Sequence, residues 1–205
     1  MSIGKVAVIG STGTIGSAVV AELSRDHEIL GLGRSSDPPV DLRDLRSIDS
    51  LATRLATEST FDAIVVCAGG GLLGSVADLD LEEALERFRP KLIGQIAVAQ
   101  AAPRFVREGG AVVLTSGILE RRPMVGTSHL AMINAALRSF AASAATESRS
   151  VRTCVVSPGL VQESPQPVLD VFAGMEPVRA ADLARAYRHL IEHGRDGEVI
   201  CIPED

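Results

Sequence analysis

The sequence is short of aromatic residues, lysine and cysteine, and each shortage narrows what the chain can be. Only 3% of the 205 residues are aromatic although 46% are hydrophobic, so the interior has to be built from Val, Ile, Leu and Ala. Such side chains suit the tight layers of a parallel sheet covered by helices. No apolar run reaches the ~18–20 residues of a membrane span, and the first residues, MSIGKVAVIG, lack a charged leader followed by a long apolar stretch and cleavage site. A cytoplasmic protein without a membrane partner is expected. A net charge of −6 would repel a phosphate backbone, which argues against a nucleic-acid partner. Cys67, Cys154 and Cys201 are odd in number and each lies in an apolar run, so they read as buried thiols rather than disulfides or metal ligands. No metal site is expected. Lysine occurs only at Lys5 and Lys91 and tyrosine only at Tyr187, a scarcity that settles a point of chemistry below.

What the sequence does have is alternation. Short apolar runs near 6–9, 28–32, 63–67, 111–115, 152–157 and 199–202 read as strands, and helical periodicity fills about 16–25, 45–58, 81–108, 128–148 and 180–193. This is the pattern of repeated β-α-β units with right-handed crossovers. Residues 158–177, punctuated by Pro158, Pro165, Pro167 and Pro177, read as a loop. The length suits a single core and no linker or repeat interrupts it. Residues 1–205 are therefore expected to form one α/β domain around a doubly wound parallel sheet.

The first strand runs through a glycine turn into an amphipathic helix: VAVIGSTGTIGSAVVAEL. Gly10 permits the tight turn, Gly13 lets backbone approach a pyrophosphate, and Gly16 allows close packing of helix on strand. The helix start adds N–H donors and a positive dipole. Gly10, Ser11, Thr12, Gly13, Thr14, Ile15 and Gly16 are thus read as a dinucleotide phosphate cradle. The second strand ends in GLGRSSDPPVDLRD, where an NAD-specific protein would place a carboxylate on the ribose 2′-hydroxyl. Arg34 stands there instead, with Ser35 and Ser36 beside it. A guanidinium pairs with a 2′-phosphate, so NADP(H) is favoured over NAD(H); the alternative is a solvated loop arginine.

The G-x-x-G-x-x-G spacing, with CAGGG at 67–71, LTSG at 114–117 and SPGL at 157–160, resembles the short-chain dehydrogenase/reductase family across nearly the whole chain. The resemblance implies a Rossmann-type fold. It also implies that Asp41 receives the adenine amino group with Leu42 next to it, that Ala68, Gly69 and Gly70 lie along the adenosine side, and that Pro158 and Gly159 lie along the nicotinamide. Cys67 and Lys91 stand where the family carries asparagines, and Ser116 matches the serine that holds a substrate carbonyl.

The family's tyrosine, about thirteen residues after that serine, and its lysine four residues later are missing. In TSHLAMINAAL, residues 127–137, those places fall on His129 and Ile133, and Tyr187 has Ile191 four residues on, so no Y-x-x-x-K exists in the chain. Imidazole can exchange protons near neutral pH, which makes His129 with Ser116, helped by Lys91, a candidate altered relay. The competing readings are a core-edge histidine, a solvated lysine, and a capping or surface role for Asn134. A serine hydrolase is disfavoured because no G-x-S-x-G elbow is present. Two functions stay open: an NADP(H)-dependent oxidoreductase acting on an unknown small molecule, or a non-catalytic NADP(H)-binding sensor or interaction protein. Leu169, Val171, Phe172 and Met175 would form a small apolar flap over the substrate. The alanine-rich faces near 93–102 and 131–145 suit a homodimer or homotetramer, or ordinary packing on the sheet.

Overall fold

Runs such as FDAIVV and AVVLT are buried on both faces, and they form the centre of a parallel sheet. The computed structural model describes residues 4–58, 60–71, 73–147 and 149–203. In chain order its elements are β1 (Gly4–Ile9), α1 (Thr14–Leu23), β2 (His27–Leu32), α2 (Leu45–Glu58), β3 (Phe61–Val66), α3 (Leu81–Phe88), α4 (Gly94–Ala101), β4 (Val106–Thr115), α5 (Ser128–Ala144), β5 (Arg152–Pro158), α6 (Gln166–Val171), α7 (Ala180–Glu192) and β6 (Val199–Ile202). The six strands are all parallel, in the order β2-β1-β3-β4-β5-β6.

The period-2 alternation of each strand divides the core into two layers. Ala7, Ile9, Ile64, Val66, Val112 and Leu114 pack with α2, α4 and α5 through Leu51, Val98, Ile133 and Leu137. The alternate residues Val6, Val8, Val65, Val113 and Val156 pack with α1 and α7 through Val19, Leu23, Leu183 and Tyr187. Strand order reverses at β1, whose neighbours are β2 on one side and β3 on the other. In open sheets of this kind the crevice beyond the strand C-termini at the reversal is the binding place.

All six expected strands are present, and three expectations about helices are corrected. The helix expected over 81–108 is broken twice: a π-helical turn, Arg89–Ile93, separates α3 from α4, and a 3₁₀ turn, Ala102–Arg104, leads directly into β4. Pro90 and Pro103 stand at these breaks, because proline lacks the N–H and its ring crowds the carbonyl four residues back. The loop expected over 158–177 contains α6, with Pro165 as its cap and Pro167 in its first turn, where proline is tolerated. The helix expected to reach 148 ends at Ala144, and Ser148 itself lies outside the described residues. Among the described residues no helix is long and apolar enough to cross a membrane.

The glycine turn has two different tolerances. A Cβ at Gly16 would overlap the Gly10 carbonyl oxygen, whereas one at Gly13 would meet nothing nearer than that oxygen at 3.4 Å. Gly16→Ala should therefore lose stability at or above the upper end of the roughly 1–3 kcal/mol typical of overpacking, while Gly13→Ala stays close to wild type. Urea midpoints of the two variants decide this, and equal midpoints would refute the packing argument.

Candidate functional site

The loops beyond β1, β3, β4 and β5 enclose two cavities that meet at Gly69. The first, about 360 Å³, is lined by Gly10, Thr12, Arg34, Asp41, Leu42, Arg43, Ala68 and Gly69 among others. Gly10 turns the chain with φ +83, donates its N–H to the Leu32 carbonyl at 2.8 Å and accepts from the Gly13 N–H at 3.0 Å. Gly13 caps α1, and the first-turn N–H groups of Thr14, Ile15 and Gly16 have no partners within the helix, which gives this end donors and positive potential. The Ile15 side chain packs on the α1–α7 layer. Ser11 is pressed against Gly31.

Arg34 lines this cavity and is exposed, as is the neighbouring Ser35. Ser36 instead holds the turn, accepting from the Gly33 N–H at 2.9 Å and donating to the Pro38 carbonyl at 2.6 Å. Asp41, expected to face an adenine amine, is gripped by Arg43: Nε lies 3.0 Å from Oδ1 and Nη2 lies 2.6 Å from Oδ2. That hydrogen bonding holds the Asp41 carboxyl at about 2. Arg43 was missed in the sequence, although VDLRD places it two residues beyond the aspartate it would engage. It puts a second guanidinium beside Arg34 in the lining.

The second cavity, about 280 Å³, is lined by Gly69, Gly70, Lys91, Ser116, Leu130, Asn134, Pro158 and Gly159, with an apolar wall beyond them. Lys91, in the π-helical turn, is buried, and its Nζ donates to the carbonyls of Thr115 at 2.9 Å and Ser116 at 3.1 Å. An ammonium has three donors, so one is left over from these two bonds. Burial lowers the Lys91 pKa from 10.5 to about 8. The close approach of this turn requires a glycine opposite, since a Cβ at Gly69, which has φ +106, would lie 2.9 Å from Lys91 Cα. Ser116 is buried at the end of β4 with Oγ 3.5 Å from the Val156 carbonyl. Burial pushes the Cys67 thiol up to about 12.

His129 is not part of this lining. Its ring is buried toward α3, where Nε2–H donates to the Ala84 carbonyl at 3.0 Å and the ring meets Phe88 edge-on at 4.9 Å. Ile133, one turn on, is fully buried in the core. The residues of α5 that line the cavity are Leu130 and Asn134, one position later than the motif spacing indicates. The structure therefore brings Ser116, Lys91 and Asn134 together and leaves His129 apart. The single tyrosine is structural: the Tyr187 hydroxyl is buried against Thr115 Oγ1 at 2.6 Å. Among the described residues no group of three or more His, Cys, Asp or Glu is arranged to hold a metal ion.

Fold and crevice define an α/β protein with a dinucleotide-type cleft. A family model described as enoyl-(acyl carrier protein) reductase matches residues 16–188. The protein lin1944 from Listeria innocua is similar in structure, with 33% identity and a TM-score of 0.91 over 97% of this chain and 99% of that one. A small-chain dehydrogenase solved in complex with NADPH is 27% identical with a TM-score of 0.84, over 97% of this chain and 95% of the other. The PIGF/3-ketodihydrosphingosine reductase fusion protein of Schizosaccharomyces pombe is 28% identical over 89% of this chain. The chain spans about two fifths of the length of the curated relatives it matches. It belongs to the short-chain dehydrogenase/reductase family.

The buried lysine makes stability depend on pH. Between about 8 and 10.5 the unfolded chain keeps a proton on Lys91 that the folded chain has released, so folding grows more favourable as pH rises across that window. Relative to Lys91→Met, the wild type should gain up to roughly 3 kcal/mol there. Denaturation series at pH 7.5 to 10.5 test this, and parallel curves for the two proteins would contradict it.

Proposed function

We propose that the chain is an NADP(H)-dependent oxidoreductase that interconverts a carbonyl and an alcohol, with Lys91 and Ser116 serving the reacting oxygen. The observation that carries the reading is the Lys91 ammonium, buried in the cavity lining beside Ser116 with one N–H beyond the two given to backbone carbonyls. The residues present fit the cofactor. The glycine turn leaves backbone donors and open space where phosphates would lie, and Arg34 and Arg43 line the cavity that would take the 2′-phosphate end. Asn134, only 2% exposed, has its Oδ1 without a hydrogen-bond partner, an acceptor that a ligand hydroxyl would satisfy at a site where leaving it bare costs about 1–3 kcal/mol.

When bound, NADP(H) supplies or accepts the hydride. Lys91 in its acid form hydrogen-bonds the carbonyl oxygen and gives it a proton during reduction, then regains one from water at the open mouth; in oxidation it takes the proton from the alcohol. Ser116 Oγ holds the same oxygen in position. His129 is given no part in this, because it stands outside the lining of the second cavity with its Nε2–H donated to Ala84. A second reading, cofactor binding without turnover, is favoured by one observation: the cleft face of α5 carries the unreactive Leu130 where a proton donor would be useful. The three free thiols support a reducing compartment such as the cytoplasm. The exposed Ile93 and Met132 support association into a homodimer or homotetramer.

Lys91→Met and Ser116→Ala should each lower kcat by about 10²-fold or more with NADPH affinity little changed, while His129→Gln retains turnover. Reductive kcat/KM should fall as pH rises through about 8. Activity lost in His129→Gln but kept in Lys91→Met would reverse the assignment, and no turnover of any carbonyl by an NADPH-binding wild type would favour the second reading. For the cofactor, Arg34→Ala should weaken NADPH about tenfold or more, from the loss of a charged hydrogen bond, and leave NADH unchanged; equal losses for both would remove the role given to Arg34.

A further inference from the structure

The apolar part of the second cavity's lining includes Leu130 of α5, Leu160 and Val161 after β5, Val168 and Phe172 of α6 and its C-cap, and Met175. Among the described residues the polar side chains of the lining are Lys91, Ser116, Asn134 and Ser164, and none of them is a carboxylate or a guanidinium. Charge is thus offered only at the reacting end. We infer that this cavity takes a small, uncharged, largely apolar aldehyde or ketone, and the corresponding alcohol, with its oxygen at Lys91 and Ser116 and its carbon skeleton against the α6 wall. This rests on the oxidoreductase reading above.

Three physical arguments set the class. Two of the three Lys91 N–H groups are held by Thr115 and Ser116 carbonyls, so the ammonium can serve one ligand oxygen and has nothing left for a second anionic group. A charge at the far end of the substrate would lose hydration against Leu160, Val161 and Phe172 without gaining a partner, which is expensive for an ion in apolar surroundings. A volume of about 280 Å³ lies just below the range of about 300 to 1,000 Å³ usual for ligand pockets. The same space has to admit the nicotinamide ring beside Pro158 and Gly159, so one ring or a short chain is what remains. The half-exposed Val168 and Val171 continue the apolar surface outward, and a longer tail would leave along α6.

The test needs no turnover. NADPH-loaded protein is titrated with benzyl alcohol and with 4-(hydroxymethyl)benzoate, which differ only by a distal carboxylate, and binding is read by ligand-observed NMR. Benzyl alcohol should bind at least about tenfold more tightly, and Phe172→Asp should weaken it at least about fivefold without altering NADPH affinity, since that side chain lies on the substrate wall. Equal or tighter binding of the carboxylate, or NADPH binding with neither alcohol bound, overturns the substrate class while leaving the cofactor reading intact. Failure to bind NADPH overturns the reading on which the class rests.

Discussion

The end of β4 is the point from which the site hangs. Thr115 is the last residue of the strand, and every polar atom it has is used: N–H to Gln95 Oε1 at 2.9 Å, carbonyl to Gln95 Nε2 at 3.0 Å and to Lys91 Nζ at 2.9 Å, and Oγ1 to the Val66 carbonyl at 2.5 Å and the Tyr187 hydroxyl at 2.6 Å. A strand that stops inside the protein leaves backbone groups without a ladder, and buried groups of that kind must find partners. Here side chains from α4 and the π-helical turn supply them, while Tyr187 of α7 partners the Thr115 hydroxyl. One residue thus ties β3, β4 and both helical layers together at the floor of the cleft. Lys91 reaches Ser116 because the end of the strand needs a donor, so its position is enforced by the fold before any chemistry is asked of it.

That delivery depends on the irregular turn between α3 and α4. A regular helix through Pro90 would face a missing N–H and a crowded carbonyl; the π-helical turn absorbs both and widens the helix locally, as such turns do at functional positions. Gly69 and Gly94 then let the turn pack against the β3 loop and the Leu42 backbone. The two cavities meet at this corner, so the element that carries the candidate acid also separates the space read for adenosine from the space read for substrate.

Strands and the glycine turn were legible because their signals are local: apolar runs bounded by turn residues, and glycines whose spacing reflects backbone contact. Arg34 was legible as a loop cation, and Ser116 as the residue closing an apolar strand. The register of α5 was not. Between Ser116 and α5 lie a 3₁₀ turn, Ile118–Glu120, and the Met124–Thr127 turn, and no local rule fixes how many residues such a segment uses. A slip of one residue rotates a helix position by about 100°, which is enough to carry His129 from the cleft to α3 and bring Leu130 and Asn134 in. The broken helix and α6 escaped for the opposite reason. Apolar periodicity ran on through Pro90 and Pro103, and prolines at 165 and 167 looked like breaks although they begin a helix.

Burial acts on Lys91 in two ways that bear on whether one residue can replace a pair. Taking the ammonium out of water lowers its pKa to about 8, so it parts with a proton more readily than an ordinary lysine while remaining mostly charged at neutral pH. The same low dielectric strengthens its attraction for charge developing on a substrate oxygen. In a tyrosine–lysine arrangement the phenol gives the proton and the cation makes that easier; on the proposed reading a desolvated lysine beside Ser116 would combine the two roles on one nitrogen. The shift on which that combined role depends comes from burial of the ammonium in the turn between α3 and α4.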